Sequence, residues 1–178
     1  MPTQHRQRRK SAYRPAWRFP PIVEYEIRKW VLSPCLHVCA GRSNLGDVKL
    51  DLNERADVKA TMSHLPFKNS QFASVVWDPP YAMDRVRTIP ILVQMNDVLQ
   101  AGGRLITLHY FDPCVFLQRT MRLLYKAYYE PKSLGGVRVL AVMEKLPSRR
   151  LPPRRRDRLI DVTARFWEPE PLQIEATT

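Results

Sequence analysis

The chain has 178 residues, 44% of them hydrophobic, and carries 29 Lys/Arg against 17 Asp/Glu for a net charge of +12. That length suits one compact domain with tails. The sequence has no apolar run long enough to cross a bilayer and no signal-peptide core at its start, and its three cysteines, Cys35, Cys39 and Cys114, cannot all pair. A cytoplasmic protein without a disulfide scaffold and without membrane association is expected.

Residues 1–19 read as a basic N-terminal arm. "MPTQHRQRRKSAYRPAWR" is polar and aperiodic, and residues 1–30 carry 8 Lys/Arg against 2 Glu. A domain is expected over residues 20–146. In "PPIVEYEIRKWVLS", Pro20 and Pro21 mark a helix start, and Val23, Ile27, Trp30 and Val31 share one helical face. "CLHVCA" is a short strand, "GRSNLGD" a loop and "VKLDL" a second strand. "ADVKAT" is a weaker strand, "SHLPFKNSQ" a loop, and "FASVVWD" a strand apolar on both faces, as in a sheet covered by helices on both sides. "TIPILVQMNDVLQ" reads as a helix with Pro90 in its first turn and Gly102-Gly103 just past its end. "GRLITLHY" is a strand, "PCVFLQRTMRLLYKA" a helix, and "VRVLAVMEK" the last core strand. Strands alternating with helices predict a doubly wound α/β sheet.

Residues 147–178 form a basic, Pro/Arg-rich extension. "RRLPPRRRDR" sets six arginines against one Asp, while "LIDVTARFW" alternates Ile160, Val162, Ala164 and Phe166 with polar residues at a strand period. That segment would add to a sheet edge or meet a protein partner or second copy. Basic flanks suit a polyanion such as DNA or RNA; the alternative is a pair of solvated arms. In "YRPAWRFP", Tyr13, Trp17 and Phe19 interleave with Arg14 and Arg18, a mixture that stacks on bases and contacts phosphates.

In a doubly wound sheet, ligands bind outside the carboxyl ends of the strands where the strand order reverses. "CAGRSNLG" after the first strand, Asp51 at the end of the second and Asp78 at the end of the fourth should meet there. On these residues, and above all on Asp78-Pro79-Pro80-Tyr81, the chain resembles the class I S-adenosylmethionine-dependent methyltransferases. More narrowly, it resembles those that methylate exocyclic amino groups of adenine or cytosine in DNA or RNA. The resemblance covers roughly residues 20–145. It implies a Rossmann-like, mostly parallel sheet of the seven-stranded type with helices on both faces.

The amino nitrogen of a base is a poor nucleophile because its lone pair is delocalised into the ring. Asp78 offers a carboxylate for one N–H and the Pro79 carbonyl an acceptor for the other. Pro79 and Pro80 hold both with little freedom, and Tyr81 gives an extruded base a face to stack on. The resemblance assigns Ala40 and Gly41 to close backbone approach to S-adenosylmethionine and Asp51 to the ribose hydroxyls. Phe19 is the candidate to close over the methionine part, or else it docks the first helix. Two departures stand out. About seven residues separate the first two strands, too few for the usual crossover helix, so either that helix is reduced to a turn or the two strands do not pair as usual. Thr61 stands where the family commonly has an acidic residue, leaving adenine recognition to backbone near Met62 and to apolar neighbours.

Cys35, His37 and Cys39 would share one strand face, which raises a metal reading. No fourth ligand is evident, so structural thiols and a packed histidine are expected and no metal. His109 and Tyr110 end the fifth strand, where they would line the base site or cap the strand, and His64 is no more than a candidate neighbour of the cofactor. A non-catalytic nucleic-acid-binding protein on the same fold and a small-molecule methyltransferase are the alternatives.

Overall fold

A computed structural model describes residues 18–52, 55–79, 85–130 and 137–147. The chain divides into two units, Met1–Pro147 and Ser148–Thr178. The second unit and most of the N-terminal arm lie outside the described residues, and with them the strand-period segment at 159–167.

Among the described residues, seven strands form one sheet in the order β3-β2-β1-β4-β5-β7-β6. They are β1 (Cys35–Val38), β2 (Val48–Asp51), β3 (Val58–Lys59), β4 (Phe72–Trp77), β5 (Leu99–His109), β6 (Met121–Tyr129) and β7 (Arg138–Lys145). The first five pair in parallel and β7 runs antiparallel to both β5 and β6. The helices are α1 (Pro21–Arg28), α2 (Arg85–Val98) and the single turn α3 (Cys114–Leu117).

Period-2 alternation in β1, β4 and β5 sends side chains to two separate cores. On one face Leu36, Val38, Val75, Trp77 and Leu105 pack with Ile91, Leu92 and Met95 of α2. On the other, Cys35, Val76, Ile106 and Leu108 pack with Val23 and Ile27 of α1. Helices on both faces and a mostly parallel sheet match the sequence expectation. The helix of residues 20–33 is shorter than expected: α1 stops at Arg28, and Trp30 leaves it to stack on Tyr125 with ring centroids 5.3 Å apart.

The first crossover has no helix. Residues 39–47 return along β1 itself: the Cys35 amide donates to Asp47 Oδ2 at 2.8 Å, and the Asp47 amide to the Cys35 carbonyl at 2.9 Å. Leu45 is buried where a helix would otherwise place a side chain, and its carbonyl accepts from His37 Nδ1 at 3.3 Å. Gly46 makes this possible. Its φ is +84°, and a Cβ there would stand 3.0 Å from His37 Cβ.

Three other expectations give way to tertiary structure. α2 starts at Arg85, so Pro90 lies inside the helix and the Val86 carbonyl loses its i+4 donor. Gly102 and Gly103 do not follow a helix end; they lie within β5, where a Cβ on Gly103 would stand 3.1 Å from the Ala73 carbonyl. The end of α2 is capped instead by Lys145, whose Nζ donates to the carbonyls of Asn96 and Leu99 at 2.6 and 2.7 Å. The helix expected over 113–127 is mostly a strand. "MRLLYKAYY" has apolar residues at helix-like intervals, but pairing with β7 from Met121 to Tyr129, interrupted only by a bulge at Leu124, makes it the edge strand β6.

Candidate active site

The strand order reverses between β1 and β4, and there the ends of the two strands lie level, Val38 opposite Trp77. The next residues, Cys39 and Asp78, therefore leave the sheet side by side into the crevice that such a reversal opens. Cys39 turns sharply, with φ at 60°, and Gly41 takes φ 54°. The amides of Cys39 and Ala40 both donate to the Leu50 carbonyl, at 2.9 and 3.3 Å, which ties this turn to the end of β2. One residue on, the Gly41 amide donates to Oδ2 of Asp51 at 2.8 Å.

Two carboxylates are thus buried at the ends of β2 and β4, the strands on either side of β1, Asp51 with 8% and Asp78 with 5% of its surface exposed. Cys39 reports on both. Burial pushes its thiol up to about 12, and the charges of Asp51 and Asp78 act in the same direction. A thiol so held is protonated and inert. It donates instead to Met62 Sδ at 3.5 Å, which brings the loop after β3 against the end of β1. Ala40, Gly41, Asp51, Met62, Asp78 and Pro79 are accordingly gathered at one end of the sheet.

Other sequence candidates go elsewhere. Phe19 is buried in the α1-side core with its ring stacked on His37, centroids 5.6 Å apart, a contact that suits the helix-docking alternative. Thr61 is exposed and its hydroxyl pairs with Ser63 Oγ at 2.5 Å, and Ser63 Oγ lies 3.2 Å from His64 Nδ1. Cys35, His37 and Cys39 do not share a face. Cys35 packs on the α1 side, while the left-handed turn at Cys39 sends its sulfur to the α2 side. Pro80 and Tyr81 lie outside the described residues.

At the end of β5, His109 is buried and Tyr110 is 39% exposed. The His109 ring sits beside Trp77, Tyr110 and Phe111, at centroid distances of 5.8, 4.5 and 3.9 Å. Trp77 and Thr107, paired across β4 and β5, border the same region, and neither stands out as a site residue in the sequence. A hydroxyl in the middle of an otherwise apolar buried strand, "LITLH", is the signal that could have pointed to Thr107.

No family model and no curated protein matches the sequence. Solved structures match the fold. An S-adenosylmethionine-dependent methyltransferase from Methanosarcina mazei aligns with a TM-score of 0.53 and 14% identity over 72% of this chain and 98% of its own. The N-methyltransferase NodS from Bradyrhizobium japonicum WM9, in complex with S-adenosyl-L-homocysteine, aligns with a TM-score of 0.56 and 12% identity over 70% of this chain and 83% of its own. The 1,6-didemethyltoxoflavin-N1-methyltransferase of Burkholderia thailandensis aligns with a TM-score of 0.53 and 13% identity over 64% and 71%. The chain has the Rossmann-like fold of the class I methyltransferases.

Proposed function

We propose that this chain is an S-adenosylmethionine-dependent methyltransferase acting on the exocyclic amino group of an adenine or cytosine in DNA or RNA. The observation that carries the reading is the pair of buried carboxylates, Asp51 and Asp78, set at the ends of the two strands that flank β1, on either side of the Cys39 turn. A buried carboxylate is retained where it accepts hydrogen bonds, and these two occupy the points at which the cofactor and the reacting group would meet.

The residues present fit the cofactor. The Gly41 turn lets backbone approach closely, and Asp51 has one oxygen fixed by the Gly41 amide, which makes its carboxylate an oriented acceptor for ribose hydroxyls. Met62, packed against the α2-side core, offers an apolar edge for the adenine. When bound, S-adenosylmethionine supplies a methyl group on a sulfonium centre.

The chain's own residues prepare the nucleophile. Asp78 accepts one N–H of the target amino group and the Pro79 carbonyl accepts the other, drawing the nitrogen toward a tetrahedral geometry. Because both acceptors are buried at a strand end, they need no reorganisation when charge develops. Tyr81 stacks on the extruded base. The basic arms, residues 1–19 and 147–178, hold the polyanion.

Incubation with methyl-labelled S-adenosylmethionine and separate DNA and RNA pools, followed by nucleoside analysis, tests this reading. Label in N6-methyladenosine, N4-methylcytidine or their deoxy forms is expected. Label in a small molecule and in neither polymer would replace the nucleic-acid reading with a small-molecule one.

A further inference from the structure

Three polar side-chain atoms without a hydrogen-bond partner are buried together at the ends of β4 and β5: Trp77 Nε1, Thr107 Oγ1 and His109 Nε2. Trp77 is paired with Thr107 across the two strands, and His109 follows Thr107 by two residues, so all three belong to the α2 side of the sheet. Trp77 Nε1 has only the Cys39 sulfur beside it, a weak acceptor. Thr107 and His109 are both fully buried. Leaving such a group unsatisfied costs about 1–3 kcal/mol, and three on one face call for a reason.

The chemistry of the three atoms is uniform. His109 Nδ1 accepts the Phe111 amide at 3.3 Å, which places the ring proton on Nε2. Burial first, and the charge of Arg138 second, lower its pKa to about 4, so the ring is neutral at physiological pH. Its unsatisfied atom is therefore a donor. The Trp77 indole can only donate, and the Thr107 hydroxyl donates as readily as it accepts. The acceptors Asp78 and Pro79 directly follow Trp77 in the chain, at the end of the strand that carries it. The Watson–Crick edges of adenine and cytosine carry the complementary pair, an amino donor next to a ring-nitrogen acceptor.

We infer that His109 is a specificity-determining residue whose Nε2–H donates to the ring nitrogen next to the target amino group, in a donor pocket shared with Trp77 and Thr107. This rests on the base-amino reading above and sharpens it: the site demands an amino group with an acceptor at its side. Extruded bases are read in this way, through their Watson–Crick edge.

The test uses the full chain and oligonucleotides in which the target base is replaced by 1-deazaadenine or 3-deazacytosine, which keep the amino group and lose the ring acceptor. The wild type should show kcat/KM about 10- to 100-fold lower on the deaza substrate. His109→Asn keeps an acceptor for the Phe111 amide but withdraws the Nε2 donor, and should narrow that penalty to about 3-fold or less. His109→Gln restores a donor near the Nε2 position and should recover most of the penalty. Anisotropy with the same oligonucleotides, without transfer, should show the same ordering of affinities. Thr107→Val, which removes an unsatisfied hydroxyl at nearly constant shape, should leave the free protein's Tm unchanged or raised. Equal wild-type transfer to parent and deaza substrates would overturn the role of His109 and leave the base-amino reading standing. Absence of transfer to any base would overturn both.

Discussion

The Gly41 amide donates to Oδ2 of Asp51 at 2.8 Å, locking the turn after β1 to the last residue of β2. One carboxylate thereby fixes the turn and, in the proposed site, would also present an oriented acceptor to the cofactor's ribose. Asp51→Ala is expected to weaken S-adenosylmethionine binding several-fold or more. It should also lower stability by about 1–3 kcal/mol, because the Gly41 amide loses its acceptor. Asp51→Asn, which retains an acceptor oxygen, should recover most of the stability. Calorimetric titration and denaturant unfolding separate the two effects, and unchanged cofactor affinity in Asp51→Ala would remove Asp51 from the site.

Gly46 is what allows the first crossover to lie flat on β1. Gly46→Ala puts a side chain at φ +84° and 3.0–3.3 Å from His37 Cβ, His37 N and the Cys35 carbonyl. A left-handed conformation for alanine and the added crowding together should cost roughly 2–4 kcal/mol. Gly102→Ala, at φ +75° but with nothing within 4 Å, should cost only the conformational part. Equal losses in chemical denaturation would show that crowding against β1 does not matter.

Much of the architecture could be read in the residues. β1, β2, β4, β5 and β7 are short apolar runs bounded by Gly, Pro, Asn and Asp, and the helices between them pointed to the parallel arrangement. What could not be read depended on long-range partners. β6 is a strand because β7 lies beside it, and its own spacing of Met121, Leu124 and Tyr125 argued for a helix. Gly102 and Gly103 looked like a helix terminator until Ala73 of β4 supplied the reason for the small residue at 103. At the site, Asp51 and Asp78 were legible because a carboxylate that ends an apolar strand is conspicuous. Phe19 was not, since one aromatic before a helix suits a lid or a core equally, and its stacking on His37 depends on a partner far along the chain. Trp77, Thr107 and His109 become a group only when β4 and β5 are placed in register.

Stability should depend on pH through His37 and His109. Burial lowers the pKa of each to about 4 in the folded protein, against about 6.5 in an unfolded chain. Below about pH 6.5 the unfolded state therefore takes up protons that the fold refuses, and stability falls as pH drops toward 4. Above pH 6.5 both states hold neutral rings and this dependence vanishes. At full slope each histidine contributes roughly 1.4 kcal/mol per pH unit. Urea unfolding between pH 6.5 and 5 should show the decline, and His109→Asn should remove about half of it. A wild-type protein with no loss of stability across that range would contradict the neutral, buried state of both rings.

The basic arms should supply most of the affinity for nucleic acid. Arg6, Arg8 and Arg9 at one end and Arg149, Arg150, Arg154, Arg155 and Arg156 at the other lie in segments with little apolar content. Removing residues 1–10 and changing Arg154, Arg155 and Arg156 to alanine should flatten the log–log dependence of binding on salt. The expected reduction is about 0.7–0.9 in slope for each phosphate that the arms no longer neutralise. Transfer at saturating substrate should persist. An unchanged slope would make the arms solvated spacers.

Asp78 bears the central claim, and single-turnover methyl transfer by Asp78→Ala tests it most directly, alongside calorimetric titration of the same variant with S-adenosylmethionine. In the proposed mechanism Asp78 interacts with the target amino group rather than the cofactor, so cofactor affinity should stay close to wild type. The rate of label transfer to the base should fall by at least ~10²-fold, as is typical when one preorganised polar group is removed. Near-normal single-turnover transfer by Asp78→Ala, with cofactor still bound, would contradict the account.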